Sequence, residues 1–90
     1  MANEYAVTVV VPLRNEQNIF EKNVNLLTQE FDTIFGSGNW HFIFVDNAST
    51  DQTPKMIEEY KARYPETQTV YEPEPNYGRA LRAGLVHSRA

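Results

Sequence analysis

Two carboxylates, Asp46 and Asp51, bracket the polar run Asp46-Asn47-Ala48-Ser49-Thr50-Asp51. An ionised carboxylate only accepts hydrogen bonds, so such a pair can receive donors from a ligand or tie down the amides of its own loop. A second polar run, Pro12-Leu13-Arg14-Asn15-Glu16, adds a guanidinium and another acid. Further on, Gly78 and Arg79 are followed by Arg82 and Arg89, with no acid after Glu74. This basic excess suits a phosphate-bearing small molecule as well as it suits a solvated helix face. Other chemistries lack their signatures. Neither G-x-x-x-x-G-K-[ST] nor G-x-G-x-x-G follows a strand-like stretch, which argues against Walker-type and dinucleotide-type phosphate loops. Ser49 lies outside a G-x-S-x-G elbow. His41 and His87 stand apart from other ligand-type residues and read as structural or solvent-facing.

The hydrophobic pattern says what positions these residues. Tyr5 to Leu13 (YAVTVVVPL) and Trp40 to Asp46 (WHFIFVD) are nearly continuous apolar runs, as expected of parallel strands buried on both faces. Pro12, which has no N–H for a ladder, marks the end of the first. Between them, Phe20, Val24, Leu27, Phe31 and Ile34 recur at spacings of three and four, one face of an amphipathic helix over Asn15 to Phe35. Asn15 reads as its N-cap, and Gly36 to Asn39 as its stop. Thr53-Pro54 reads as an N-cap with proline at the first helical position. The helix Pro54 to Tyr64 then turns Ile57, Tyr60 and Tyr64 inward. Thr67 to Glu72 is a third, weaker strand, and a last helix from Gly78 or Arg79 turns Leu81, Leu85 and Val86 inward.

The order β-α-β-α-β-α predicts an α/β, Rossmann-like open parallel sheet with helices on its faces. Ligands of such sheets bind beyond the carboxyl ends of the strands, where both polar runs leave their strands. The chain has 90 residues, no cysteine and a net charge of −4. One small domain with a thin core fits that length, and the charge argues against nucleic acid as a partner. No apolar run approaches the roughly 20 residues of a membrane-spanning helix.

VTVVVPLRNEQNI is similar to the opening strand and turn of family 2 glycosyltransferases, where P-x-Y-N-E is usual. FVDNASTDQT resembles their second strand and acidic loop, commonly V-D-[DN]-x-S-x-D-x-T, and NYGRALRAGL the glycine-containing start of their third helix. The resemblance runs over almost the whole chain and implies the N-terminal, nucleotide-sugar-binding portion of a GT-A fold. Residues 1–90 then form a truncated nucleotide-diphosphosugar-binding domain. It implies that Asp46 accepts a hydrogen bond from a base imide N–H, and that Pro12 and Leu13 offer backbone contacts to the nucleoside. Arg14 stands where the family usually has a stacking tyrosine. Asp51 is implied to be mainly structural, Asn47 replaces an aspartate of many members, and Gly78 and Arg79 lie close to the nucleotide. The implied partner is a UDP-, GDP- or dTDP-sugar.

The family's metal-holding D-x-D-type motif and catalytic base have no counterpart here. The resemblance therefore implies a divalent metal, Mg or Mn, with ligands outside this chain, and no catalytic residue within it. Any membrane contact would come from other parts of a longer, cytoplasmic protein acting in the cytoplasm or at the cytoplasmic membrane face. The first strand, without the neighbour it has in that fold, is expected to be an exposed apolar edge that favours homodimers or self-association. A nucleotidylyltransferase-like domain is disfavoured by the absent glycine-rich loop. A receiver-like module is disfavoured by the third strand ending in Tyr71-Glu72-Pro73. The remaining alternative is a non-catalytic α/β scaffold or interaction module with no nucleotide affinity.

Overall fold

The computed structural model describes residues 7–87. Six elements alternate: β1 (Val7–Leu13), α1 (Phe20–Phe35), β2 (Trp40–Asp46), α2 (Thr53–Arg63), β3 (Gln68–Tyr71) and α3 (Tyr77–His87). The strands form one parallel sheet in the order β1-β2-β3. Central β2 is buried from Trp40 through Val45, which is why it reads as a nearly continuous apolar run, broken only by His41.

The pleat sends alternate residues of β2 to different layers. Trp40, Phe42 and Phe44 face α1 and α2, together with Phe20, Val24, Ile57 and Tyr60. Their rings pack edge-on or stacked at centroid separations of 4.8 Å for Trp40–Phe42 and Phe42–Phe44, and 5.3 Å for Phe44–Tyr60. Polar tips in this layer have partners. The Trp40 indole N–H donates to Asp32 at 2.8 Å, and the Thr28 hydroxyl, which donates to the Val24 carbonyl, lies 3.0 Å from the Tyr60 hydroxyl. On the opposite face Ile43 and Val45 pack with Val10, Val70, Ala80 and Ala83 beneath α3. At Gly84 a Cβ would stand 2.3 Å from Val10 Cγ1 and 3.0 Å from Val45 Cγ2. The glycine therefore lets α3 lie close to the sheet.

Several sequence expectations need correction. α1 begins at Phe20 with Ile19 at its N-cap position, because Asn15 takes a left-handed backbone (φ 52°) and bonds across to another loop. Thr53 is the first residue of α2 rather than its cap. β1 continues past Pro12 to Leu13; on a strand paired on one side among the described residues, the missing N–H is tolerated. Ile34, Tyr64 and Leu81 are exposed at 66%, 36% and 44%. Phe35 packs on the core in place of Ile34. Small Ala80, Ala83 and Gly84 form the inner face of α3 because a leucine would hold the helix off the sheet. The side chains of Leu85, Val86 and His87 lie outside the described residues, as do Tyr5 and Arg89.

Candidate functional site

The three strands end in one row, with Leu13 paired to Asp46 and Asp46 to Tyr71. Their following loops therefore leave the same edge of the sheet together, and the first two are cross-linked reciprocally. Three successive amides of the β1–α1 loop donate to side chains of the β2–α2 loop and of the first residue of α2: Asn15 to Ser49 Oγ at 3.1 Å, Glu16 to Thr53 Oγ1 at 2.8 Å, and Gln17 to Asp51 Oδ2 at 3.2 Å. In return, the Thr50 and Gln52 amides donate to the side chains of Asn15 and Gln17 at 2.8 and 2.9 Å. Asn15 and Ala48 (φ 58°) both adopt the left-handed conformation. Asparagine tolerates that region, whereas alanine does not adopt it routinely.

Asp46 lies at the end of β2, half-buried. Its Oδ1 accepts the Ser49 amide at 3.1 Å, which leaves its other oxygen as an acceptor directed to no hydrogen-bond donor among the described residues. Asp51 is committed on both oxygens, since Oδ1 accepts the Thr53 amide at 2.9 Å and Oδ2 accepts Gln17. Partial burial alone would raise its pKa. Hydrogen bonds from the Thr53 hydroxyl and from the amides of Thr53, Gln17 and Asp51 itself outweigh that and hold it below 3.8. Thr53 and Asp51 thus fasten the start of α2 to the first loop.

Of the other sequence candidates, Leu13 is buried and its carbonyl accepts the Asn47 amide at 2.7 Å. Pro12 is half-buried one residue before it, and Arg14 is exposed beside it. Gly78 and Arg79 occupy the first turn of α3, which Asn76 caps by accepting the Arg79 amide at 3.1 Å. The Arg79 guanidinium is mostly exposed and forms a loose ion pair with Glu72 at 3.7 Å. The structure therefore places Pro12, Leu13, Arg14, Asp46 and Asp51 around two interlocked loops, with Gly78 and Arg79 reached through the β3–α3 loop. Sequence reasoning missed Asn15, Gln17, Thr53 and Asn76 as the residues that fasten these loops. The Asx and hydroxyl side chains themselves were the available signal.

A groove of about 340 Å³ lies elsewhere, between α1 and α2, lined by Phe20, Val24, Met56, Glu59 and Arg63. It belongs to the helical layer and not to the loops.

Residues 8–90 match the sequence model of glycosyl transferase family 2. The chain belongs to that family. The mannosyltransferase PcManGT from Pyrobaculum calidifontis, solved in complex with GDP-Man and Mn2+, is similar in structure. Its TM-score is 0.79 at 27% identity, over 96% of this chain and 25% of the mannosyltransferase chain. The chain thus spans about a quarter of that protein's length, and its three-stranded sheet and helices have the GT-A glycosyltransferase fold. No curated protein matches it. Among the described residues no three His, Asp or Glu side chains gather to hold a cation. No described helix is long and apolar enough to cross a membrane.

Proposed function

We propose that this family 2 chain supplies the nucleoside-binding half of a glycosyltransferase, which moves a sugar from a UDP-, GDP- or dTDP-sugar to an acceptor. The observation that carries this reading is Asp46. One of its oxygens is held by Ser49 and the other is open, at the end of the central strand. An acceptor-only group so fixed can take the ring N–H that uracil and thymine present as an imide and guanine as a lactam.

Around it, Pro12 and Leu13 line the nucleoside with backbone, and the Arg14 guanidinium stacks where an aromatic ring would otherwise lie. Asp51 acts on the nucleotide indirectly, by holding the two loops in register. The Gly78 amide, at a helix N-terminus, and the Arg79 guanidinium take the phosphates. To engage them fully, Arg79 exchanges its loose contact with Glu72 for the stronger pairing with phosphate.

Transfer itself needs a cation on the leaving diphosphate and a base on the acceptor hydroxyl. We assign the Mg or Mn ion and that base to residues of a longer, cytoplasmic protein outside these 90. The chain alone then binds nucleotide without turning it over.

A titration of ¹⁵N-labelled chain with UDP and with GDP, with and without Mn²⁺, tests this. Shifts are expected at Leu13 to Asn15, Asp46 to Asp51 and Gly78, and they should disappear in Asp46→Asn. That substitution keeps an oxygen for Ser49 and turns the open acceptor into a donor. An intact fold with no shifts at millimolar nucleotide would refute the reading and leave a non-catalytic α/β scaffold.

A further inference from the structure

Asp46 and Asn47 are sequence neighbours with opposite surroundings. Asp46 reaches the surface, whereas Asn47 is fully buried, at 0% exposure. A residue so enclosed touches no ligand, yet its bonds join the two halves of the candidate site. Its backbone N–H donates to the Leu13 carbonyl at 2.7 Å, at the end of β1. Its carboxamide nitrogen donates to two carbonyls of the β3–α3 loop, Glu72 at 3.3 Å and Glu74.

That loop has few other anchors. Pro73 and Pro75 have no N–H to give. The Glu72 amide reaches the Asp46 carbonyl at 2.9 Å, and the Glu74 amide bonds only locally, to Glu72. What the loop carries is the start of α3: Asn76 caps the helix, and Glu72 holds Arg79.

Chemistry selects the side chain. Two neighbouring carbonyls call for two N–H donors on a short stem, which a carboxamide offers and a carboxylate does not. The Asn47 oxygen is buried with no hydrogen-bond partner among the described residues. A side chain present for packing alone would have no use for that costly acceptor.

We propose that Asn47 is a positioning residue that fixes the Gly78–Arg79 end of α3 relative to the Asp46 carboxylate. The proposal rests on the nucleotide-binding reading above. Through it, the group that meets the base and the group that meets the phosphates are held by adjacent residues of one loop.

The experiment compares Asn47→Asp and Asn47→Ala with the parent chain, using ¹⁵N amide signals of Glu74, Asn76, Gly78 and Arg79, GDP titration and denaturant unfolding. In Asn47→Ala these signals are displaced at every pH. GDP binds about tenfold more weakly, the scale of one lost hydrogen bond, while the Asp46 to Ser49 signals still respond to GDP. In Asn47→Asp a carboxylate faces the two carbonyls and the loop is released at neutral pH. Burial beside acceptors raises the pKa of that carboxyl above the ordinary carboxylate range. On acidification it regains a proton, donates one hydrogen bond and draws the loop signals back toward their parent positions.

If Asn47→Asp is unfolded at neutral pH, the same transition is read as gain of structure on acidification. A purely steric role gives no such recovery. Parent-like loop signals and GDP affinity in Asn47→Ala, or no acid-driven recovery in Asn47→Asp, would overturn the proposal. If the parent binds GDP and Asp46→Asn does not, those results reject Asn47's role alone. If the parent binds no GDP, the nucleotide reading and the positioning role both fall.

Discussion

Gly84→Ala tests how closely α3 lies on the sheet, and with it the placement of Gly78 and Arg79. The added Cβ would stand 2.3 Å from Val10 Cγ1 and 3.0 Å from Val45 Cγ2. Carbon atoms prefer separations of about 3.5–4.0 Å, so more than an ångström must be recovered on the Val10 side. Val10 is β-branched and stiff at χ1, and Val45 is fully buried, so neither yields easily and the helix must move. Against this, alanine is favoured over glycine inside a helix by about 1 kcal/mol. Overpacking costs about 1–3 kcal/mol, more where backbone shifts. The clash wins, and a net loss of about 1 kcal/mol, within a range of roughly 0–2, is expected, a fall in Tm of roughly 4–8 °C per kcal/mol for a domain this size. Denaturant unfolding of Gly84→Ala, Val10→Ala and the double variant closes a mutant cycle. Removing the Val10 methyls relieves the contact, so the double variant should be less damaged than the sum of the singles. If Gly84→Ala is instead stabilised by the helix-propensity increment, α3 lies further from the sheet and the reasoning fails.

Acidification should destabilise the chain in two steps. His41 is buried, and desolvation lowers its pKa below 6.5 against an opposing pull from Glu66. The unfolded chain therefore takes up that proton first, and stability is lost as pH falls from about 6.5 toward the folded value. Asp51, held below 3.8 in the fold, contributes stability above its unfolded value and loses it as pH falls through its folded one. Denaturant midpoints across the neutral-to-acid range should fall throughout, with Asp51→Asn flattening only the lower step; a midpoint that rises on acidification contradicts both. The open edge of β1, apolar from Val9 to Val11 and paired only with β2 among the described residues, should make sedimentation concentration-dependent through homodimers or larger species. A strictly monomeric chain over a wide concentration range rejects that interface.

What was legible in the sequence is what periodicity encodes. Trp40 to Asp46 is a strand over the same residues in sequence and structure, because a nearly continuous apolar run suits a centre buried on both faces. The parallel order followed from helical crossovers between strands. What was not legible depends on partners distant in the chain. Asn15 carries the local signature of an N-cap, but a cap takes the amides that follow it, and Asn15 instead accepts the Thr50 amide. The same competition moved Thr53 from cap to first helical residue, since its hydroxyl accepts the Glu16 amide. Leu81 failed for another reason. Helical spacing predicts a face but not the interhelix or helix–sheet gap, and Gly84 sets a gap too narrow for leucine.

The same partners decide what the candidate site can do. Asp46 and Asp51 are the same residue type in one loop, and composition allows either to meet a ligand. Asp51 has both oxygens engaged by the amides of Thr53 and Gln17, whereas Asp46 spends one on Ser49 and keeps the other. The left-handed backbone at Ala48 costs about 1–2 kcal/mol, and without Asp51 fewer cross-links would remain to offset it. Loop order is therefore secured on folding, through bonds between the two loops, before any ligand arrives. A ligand that meets loops already in place loses less of its binding energy to ordering them. On the nucleotide-binding reading proposed above, one carboxylate of the pair serves preorganisation and leaves the other to recognition.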